Sequence, residues 1–359
     1  MSPATIIPFG PQHPVLPEPI HLKLTLDDEK VVAALPQIGY IHRGIEKAAE
    51  NREFQQNVYL MERVCGICSF VHALGYCQAV ETMMGIEIPE RAGYLRVVYS
   101  ELTRIHSHVL YIGLLADAIG FESLFMHCWR VRERAVDLME RTSGSRVIIS
   151  TSAVGGVRRD IPPELAHEVI QELDKLRPEI DRIAEILAHD PTLRRRTIGV
   201  GVLTKEQALA SGAVGPMQRA AGIAEDARCT GYAAYGALGF TPVVETGCDA
   251  YARTVVRLRE IYQAIDLTTA ALKQMPRGEI ATRVRGTPNG EAVSLVEAPR
   301  GELMYYAKGN GAKNLARMRV RTPTYANLPS LLTMLPGSQL PDVPVIVLSI
   351  DPCFSCTER

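Results

Sequence analysis

The sequence predicts a mainly α-helical fold of the α+β class, with small β elements near the N-terminus and in the C-terminal third. Two observations carry this. Between about residues 43 and 275 apolar side chains recur at helical spacing, interrupted by Gly and Pro breakers. At residues 20–35 and 292–307 the period shortens toward two, the signature of half-buried strands. Neither an internal repeat nor a low-complexity tail is present. The expected organisation is one domain over 1–359, with an N-terminal hairpin lobe about 1–40 and a β-containing segment about 278–320.

Taken in order, Ile20-His-Leu-Lys-Leu-Thr-Leu26 alternates, Asp27-Asp-Glu-Lys30 turns, and Val31-Val-Ala-Ala-Leu35 returns. One helix is expected from Arg43 through Val64, and helical composition resumes after Cys68 until Gly85 and Pro89. A long helical region follows from Pro89 to Arg141, broken at Gly120. Pro162-Pro-Glu starts another that reaches Ala188; its entry prolines miss no amide donor, whereas Pro178 should kink or split it. Shorter helices are expected at 204–211 and 216–226, and a longer one at 249–275. Thr287-Pro-Asn-Gly290 signals a turn, with strands at Ala292–Val296 and Leu303–Ala307. Residues 328–335 read as helix. Val343-Pro-Val-Ile-Val-Leu-Ser-Ile350 is buried, with a period that fits a strand or a short helix.

Charge excludes one class of partner. With 39 basic and 40 acidic residues the net charge is −1, and Arg194-Arg-Arg196 is too short to make a nucleic-acid footprint. No charged and apolar leader with a small-residue cleavage site opens the chain, so export by the general route is not expected. The longest apolar run, Val109 to Phe121, contains Asp117 and falls short of the roughly 20 residues that span a bilayer. Peripheral docking on a membrane stays open.

Eight cysteines are too sparse for a disulfide scaffold, so reduced thiols are expected. Cys77, Cys128, Cys229 and Cys248 lack paired spacing and fit small buried hydrophobes. Cys65-Gly-Ile-Cys68 and Cys353-Phe-Ser-Cys356 are different: a two-residue spacer lets both sulfurs of a pair face one ion. Four soft thiolates suit zinc, an iron–sulfur cluster or nickel. A structural zinc ribbon places both pairs in one short segment that needs metal to fold. Here they lie at opposite ends of a chain long enough to build its own core.

The residues around the pairs are more specific still. Arg63-Val-Cys-Gly-Ile-Cys-Ser-Phe-Val-His72 and Asp351-Pro-Cys-Phe-Ser-Cys356 together resemble the large subunit of nickel–iron hydrogenases. His42-Arg-Gly-Ile-Glu46, Ser107-His-Val-Leu-Tyr111 with Asp117, Glu297-Ala-Pro-Arg-Gly301, and Pro323-Thr with Asn327 extend the resemblance over essentially the whole chain. Gly10-Pro-Gln-His-Pro14 and Gly155-Gly-Val-Arg-Arg-Asp160 are similar to the group 4, membrane-associated, energy-converting branch (Ech-type and carbon-monoxide-induced hydrogenases). That branch is related to the quinone-site subunit of respiratory complex I, which lacks the four cysteines.

The resemblance implies a helical-bundle large subunit and a nickel–iron centre. Cys65, Cys68, Cys353 and Cys356 would hold nickel; Cys68 and Cys356 would also bridge to an iron carrying carbon monoxide and cyanide. Arg300 would hold those polar ligands or lie over the open face. Glu18 is the first candidate to relay the proton released when H2 is cleaved, although the family's usual Arg-Ile-Glu-Gly-His reads Leu16-Pro-Glu-Pro-Ile-His21 here, and a loop-surface carboxylate is the alternative. His72 is a second relay candidate, or a core histidine with satisfied hydrogen bonds. Asp117 would orient Arg300, or be solvated at a helix end. Glu46 matches a ligand of a distant magnesium or second iron; since Arg359 replaces the usual C-terminal histidine, that metal is left unassigned and a Glu46–Arg359 ion pair is expected instead. Relatives in other branches lose a C-terminal extension after nickel insertion, and a chain ending at Arg359 fits either form.

The function implied is reversible H2 oxidation and proton reduction, coupled to ion translocation. Electrons would pass through a small subunit bearing a [4Fe-4S] cluster, with ferredoxin as redox partner. Integral-membrane complex I-like subunits would hold the assembly on the cytoplasmic side of the cell membrane. The rivals are a metal-free complex I-like quinone-site or scaffold subunit, which retention of all four cysteines opposes, and a structural zinc tetrathiolate.

Overall fold

The computed structural model describes residues 5–359. The first strands and the last helices of the described residues meet in one layer. Strands β1 (Thr5–Phe9), β2 (His21–Asp27) and β3 (Lys30–Gln37) form an antiparallel sheet in that order. The alternation in β2 sends Leu22, Leu24 and Leu26 inward, where they share an apolar cluster with Leu331, Leu335, Val347, Ile350 and Phe354 from the last thirty residues. The expected hairpin is present; β1, which precedes it, has too little alternation to be read from sequence.

The region expected as one helix over 43–64 is two short ones, α1 (Ile45–Glu50) and α2 (Asn57–Glu62). Between them Phe54 donates its amide to the Lys313 carbonyl (2.9 Å), and tertiary pairing replaces the helical bond. Helix α3 (Ser69–Met84) ends on Gly85 in the left-handed conformation (φ 62°). The long helices α4 (Glu90–Ala118) and α5 (Glu122–Ser143) part at Gly120, as the sequence implies. A two-residue bridge pairs β4 (Ser152–Ala153) with β5 (Gly156–Val157). Helix α6 (Pro163–His189) then runs as one helix through Pro178, which does not split it. Its buried ridge of Val169, Leu173, Leu176, Ile180 and Ile183 holds the helix together across the missing amide bond.

Helices α7 (Pro191–Thr197), α8 (Lys205–Ala210) and α10 (Ala250–Gln274) each start on a side-chain cap, from Asp190, Thr204 and Asp249. The helix expected over 216–226 shrinks to α9 (Pro216–Arg219), because the chain turns at Gly222 to bond the Glu245 carbonyl at 2.9 Å. Strands β6 (Asn289–Ala298), β7 (Gly301–Asn310) and β8 (Arg317–Arg321) form a second antiparallel sheet. Its hairpin turn is not at Thr287–Gly290, where the strand begins, but at Pro299-Arg300, between paired Ala298 and Gly301. That turn is pressed onto the backbone: a side chain on Gly301 would lie 2.9 Å from the Gly215 Cα atom. The chain closes through α11 (Pro323–Met334), α12 (Val343–Ser349) and α13 (Phe354–Glu358). Helix α12 resolves the undecided apolar segment: Val343 and residues 345–349 are all buried, so no amphipathic period exists to read.

Helices α4 and α10 pack side by side at the centre and bury charge as well as apolar surface. Arg104 pairs with Glu101 (3.0 Å), Arg219 with Glu260 (2.7 Å) and Glu297 (2.8 Å), and Arg228 with Asp226 (2.8 Å). All are essentially without exposure, and each charge has a partner, which is the condition for burying it. Among the described residues no helix is long and apolar enough to cross a membrane.

Candidate metal centre

The first cysteine pair occupies the turn between α2 and α3; of the second, Cys353 lies in the turn between α12 and α13 and Cys356 within α13. Asp351 adopts φ 55°, a left-handed conformation rare outside glycine, and swings the chain out of α12 so that Cys353 can cap α13. One side chain ties the two turns together. Arg43 donates to the carbonyls of Arg63 (2.7 Å), Val64 (2.9 Å) and Ser355 (2.8 Å). Thr324 accepts the Cys353 amide at 3.1 Å, which gives the Pro323-Thr motif a structural task.

All four sulfurs converge. Sγ–Sγ distances are 3.6 Å for Cys65–Cys353, 3.9 Å for Cys68–Cys356 and 3.1 Å for Cys353–Cys356, with each residue at most 2% exposed. None is disulfide-bonded; a disulfide needs about 2.05 Å. Sulfurs held at about 2.3 Å from one tetrahedral ion stand about 3.8 Å apart. Cys65, Cys68 and Cys356 all lie within 4.8 Å of one another, a spacing that suits a soft metal, and Cys353 adjoins the group through Cys65 and Cys356. Hydrogen bonding from Cys353 holds the Cys65 thiol well below its ordinary range, while burial pushes Cys356 up. Without a metal the cluster therefore keeps most of its protons, and binding an ion must displace them.

The surroundings arrange polar groups on two sides. Arg300 donates from Nε to the Asp351 carbonyl and from Nη2 to Asp351 Oδ1, both at 2.8 Å, and from Nη1 to Ser107 Oγ at 3.3 Å. Burial opposes its charge, but Asp351 and the sulfurs outweigh that and keep it cationic. On the other side His72 Nε2 lies 3.4 Å from Cys356 Sγ and its Nδ1 2.7 Å from the Tyr305 hydroxyl. Burial lowers the His72 pKa to about 4, so the ring is neutral near pH 7.

Glu18 is half-buried, with Oε1 3.8 Å from Cys353 Sγ; its carboxylate also accepts the Ser355 amide (2.9 Å) and the Ser355 hydroxyl. It lines two cavities. One, of about 270 Å³, also borders Leu110, Tyr111, Trp129, Arg300 and Cys353; the other, of about 510 Å³, is built from Pro11 to Pro19 at the surface. A larger cleft of about 820 Å³ is lined by none of these four cysteines.

Asp117 does not meet the expectation of a partner for Arg300. It is exposed in the last turn of α4, and the orienting acid is Asp351. The sequence carries that signal in Asp351-Pro-Cys353, although the motif alone gives the aspartate no role. Tyr305 escapes sequence reasoning, and Arg43, though it stands in the His42–Glu46 motif, is given no role there, because a strand tyrosine and a loop arginine have no spacing that points at a distant cysteine. Glu46 accepts from the Val320 amide (2.9 Å), Arg319 (3.0 Å) and Arg359 Nε (3.0 Å). Burial works against its charge, yet these donors keep its pKa below the usual carboxylate value. The ion pair with Arg359 thus occupies the position where the resemblance places a second metal ligand.

A buried cluster of four cysteines joining both ends of a helical large-subunit fold defines the class: the chain belongs to the family of nickel-dependent hydrogenase large subunits and their respiratory-chain relatives. Residues 43–118 match the model of the nickel-dependent hydrogenase family, and residues 118–287 and 280–359 that of the respiratory-chain NADH dehydrogenase 49 Kd subunit. Within this family the chain is 42% identical to the carbon monoxide-induced hydrogenase of Rhodospirillum rubrum, over 98% of this chain and 99% of that protein. It is 40% identical to the membrane-bound hydrogenase subunit alpha of Pyrococcus furiosus, over 98% and 87%. One subunit of the F(420)H(2) dehydrogenase of Methanosarcina mazei is 37% identical, over 99% and 97%. Among solved structures, a chain of the membrane-bound sulfane sulfur reductase, an archaeal respiratory membrane complex, superposes with a TM-score of 0.94 at 32% identity, covering 99% of this chain and 98% of that one.

Proposed function

We propose that this chain is the catalytic subunit of an energy-converting nickel–iron hydrogenase that interconverts H2 with protons and electrons. The convergence of four buried thiols is the observation that carries the proposal, since a quinone-site relative has no use for them. Cys65, Cys68, Cys353 and Cys356 would hold nickel, with Cys68 and Cys356 shared with an iron that bears carbon monoxide and cyanide. When bound, that centre supplies the heterolytic cleavage of H2.

The remaining work falls to the chain. The 270 Å³ cavity, walled by Leu110, Tyr111 and Trp129, offers an apolar approach to Cys353 and Arg300. Arg300, fixed by Asp351 and Ser107, directs guanidinium N–H groups toward polar ligands beside the sulfurs. Glu18 accepts a proton at Oε1 from Cys353 Sγ and passes it to the surface cleft along Pro11–Pro19, because it borders both cavities. Electrons enter through a partner with a [4Fe-4S] cluster, with ferredoxin as the complex's redox partner. Complex I-like membrane subunits hold the assembly on the cytoplasmic side and couple turnover to ion movement.

The similarity to quinone-linked and sulfur-reducing complexes favours a second reading, a subunit that acts on a larger oxidant without nickel; a cavity of about 270 Å³ exceeds what H2 requires. Metal analysis of the purified complex separates the two. About one nickel per copy of this subunit supports the hydrogenase reading; zinc in its place, or a complex without nickel, refutes it.

A further inference from the structure

We propose that Tyr305 is a positioning residue: it fixes His72 as the tautomer that presents its Nε2 proton to the Cys356 sulfur. His72, Tyr305 and Cys356 form an unbranched line, hydroxyl to Nδ1 at 2.7 Å and Nε2 to sulfur at 3.4 Å, and none of the three is more than 1% exposed. Among the described residues the Tyr305 hydroxyl has no other hydrogen-bond partner.

The direction of the line follows from the donor inventory. A metal-bound Cys356 thiolate to which no substrate proton has been transferred can only accept, as can whichever ring nitrogen of a neutral imidazole lacks hydrogen. If Nδ1 carried the proton, an Nε2 lone pair would face the sulfur and the phenol hydrogen would be left buried without an acceptor. If the phenol donates to Nδ1, every group in the line is satisfied and Nε2–H points at the thiolate. Burial keeps the phenol protonated, well above its usual pKa, so the donor is always present.

The ring's position is built in as firmly as its hydroxyl. A side chain at Gly75, three residues after His72 on α3, would come 2.9 Å from Tyr305 Cδ2. Tyr305 therefore rests against the helix backbone at a place only glycine leaves open. Its edge contacts with His72 and Tyr76 (ring centroids 6.0 and 6.4 Å apart) hold it from two further sides. A hydrogen bond to a thiolate withdraws electron density from the metal it binds, so Tyr305 acts on the centre through His72 without touching it.

Only the identity of the metal rests on the function proposed above; the tautomer is required by any metal that leaves Cys356 unprotonated. The test is histidine nitrogen NMR on the full chain loaded with zinc, a diamagnetic ion, with the His72 signals assigned by His72→Gln. We expect a single Nε2–H tautomer in the wild type. In Tyr305→Phe, which keeps the ring, and in Gly75→Ala, which displaces it, the two His72 nitrogen resonances should move toward each other as both tautomers become populated. An Nδ1–H tautomer in the wild type, or unchanged resonances in Tyr305→Phe, would overturn the assignment; the wild-type measurement decides even if a variant fails to fold. A complex without nickel but with the expected tautomer would refute the hydrogenase reading and leave this one standing.

Discussion

Asp351 is the residue on which Arg300 depends, and its two structural roles separate by substitution. Its carboxylate accepts from Arg300 Nη2 at 2.8 Å, and its backbone sits at φ 55°. Asp351→Ala removes the buried partner of a buried cation, a change that costs about 3–5 kcal/mol, and keeps a Cβ in the left-handed region. Asp351→Gly loses the same partner but relieves about 1 kcal/mol of backbone strain. Asp351→Asn keeps an accepting oxygen and tolerates this φ; replacing a charged by a neutral acceptor costs about 1 kcal/mol. At about 2 °C per kcal/mol for a chain of this size, the thermal midpoint should fall by about 2 °C for Asn, about 6 °C for Gly and about 8 °C for Ala. Calorimetry on the purified complex reads the order. Gly no better than Ala would refute the strain argument, and Asn as damaging as Ala would show that the charge, not the directed hydrogen bond, holds Arg300.

Other outcomes follow from the same geometry. Glu18→Gln should reduce H2 turnover at least about 100-fold, the usual scale for removing a positioned acid–base group, with nickel content unchanged; loss of nickel would make Glu18 structural. Arg359→Ala removes one partner of a partly exposed pair with Glu46, worth about 0.5–1 kcal/mol. Swapping both charges should rescue it incompletely, since Arg319, 3.0 Å from Glu46, would then face an arginine; full rescue in urea unfolding would contradict this. Burial lowers His72, His106 and His108 to about 4 each. Their ordinary value is about 6.5, so the unfolded chain binds protons that the folded one refuses: stability is fully present above pH 6.5 and falls as pH drops toward 4, by about 3 kcal/mol per histidine. Urea midpoints of the metal-loaded chain that do not fall between pH 7 and pH 5 would contradict it.

Much of this molecule is legible in the sequence because its signals are local. The hairpin of β2 and β3, the breaks at Gly85 and Gly120 and the entry prolines of α6 depend on residues within a turn or two of the feature. Sequence reasoning fails where tertiary contacts decide. Phe54 pairs with the strand region at Lys313 and splits one expected helix into two, and a packed ridge carries α6 through Pro178. The cysteines are legible because the two-residue spacing is itself a chemical statement, and the ends of the chain supply it twice. Their companions divide by whether a motif names them. Arg300 lies in Glu297-Ala-Pro-Arg-Gly301 and stands beside the sulfurs; Asp117 matches a motif but is exposed, and Asp351, near the second pair, takes the role expected of it. Tyr305 cannot be found from sequence, because its link to His72 exists only once β7 crosses α3.

The central claim is that the four sulfurs hold a nickel–iron centre whose iron carries diatomic ligands, and infrared spectroscopy of the purified complex tests it most directly. Carbon monoxide and cyanide on iron absorb where polypeptide is transparent, so their bands should appear in the wild-type complex and vanish when Cys68 or Cys356 is changed to Ala. A transparent window in a complex that is otherwise active would contradict the account.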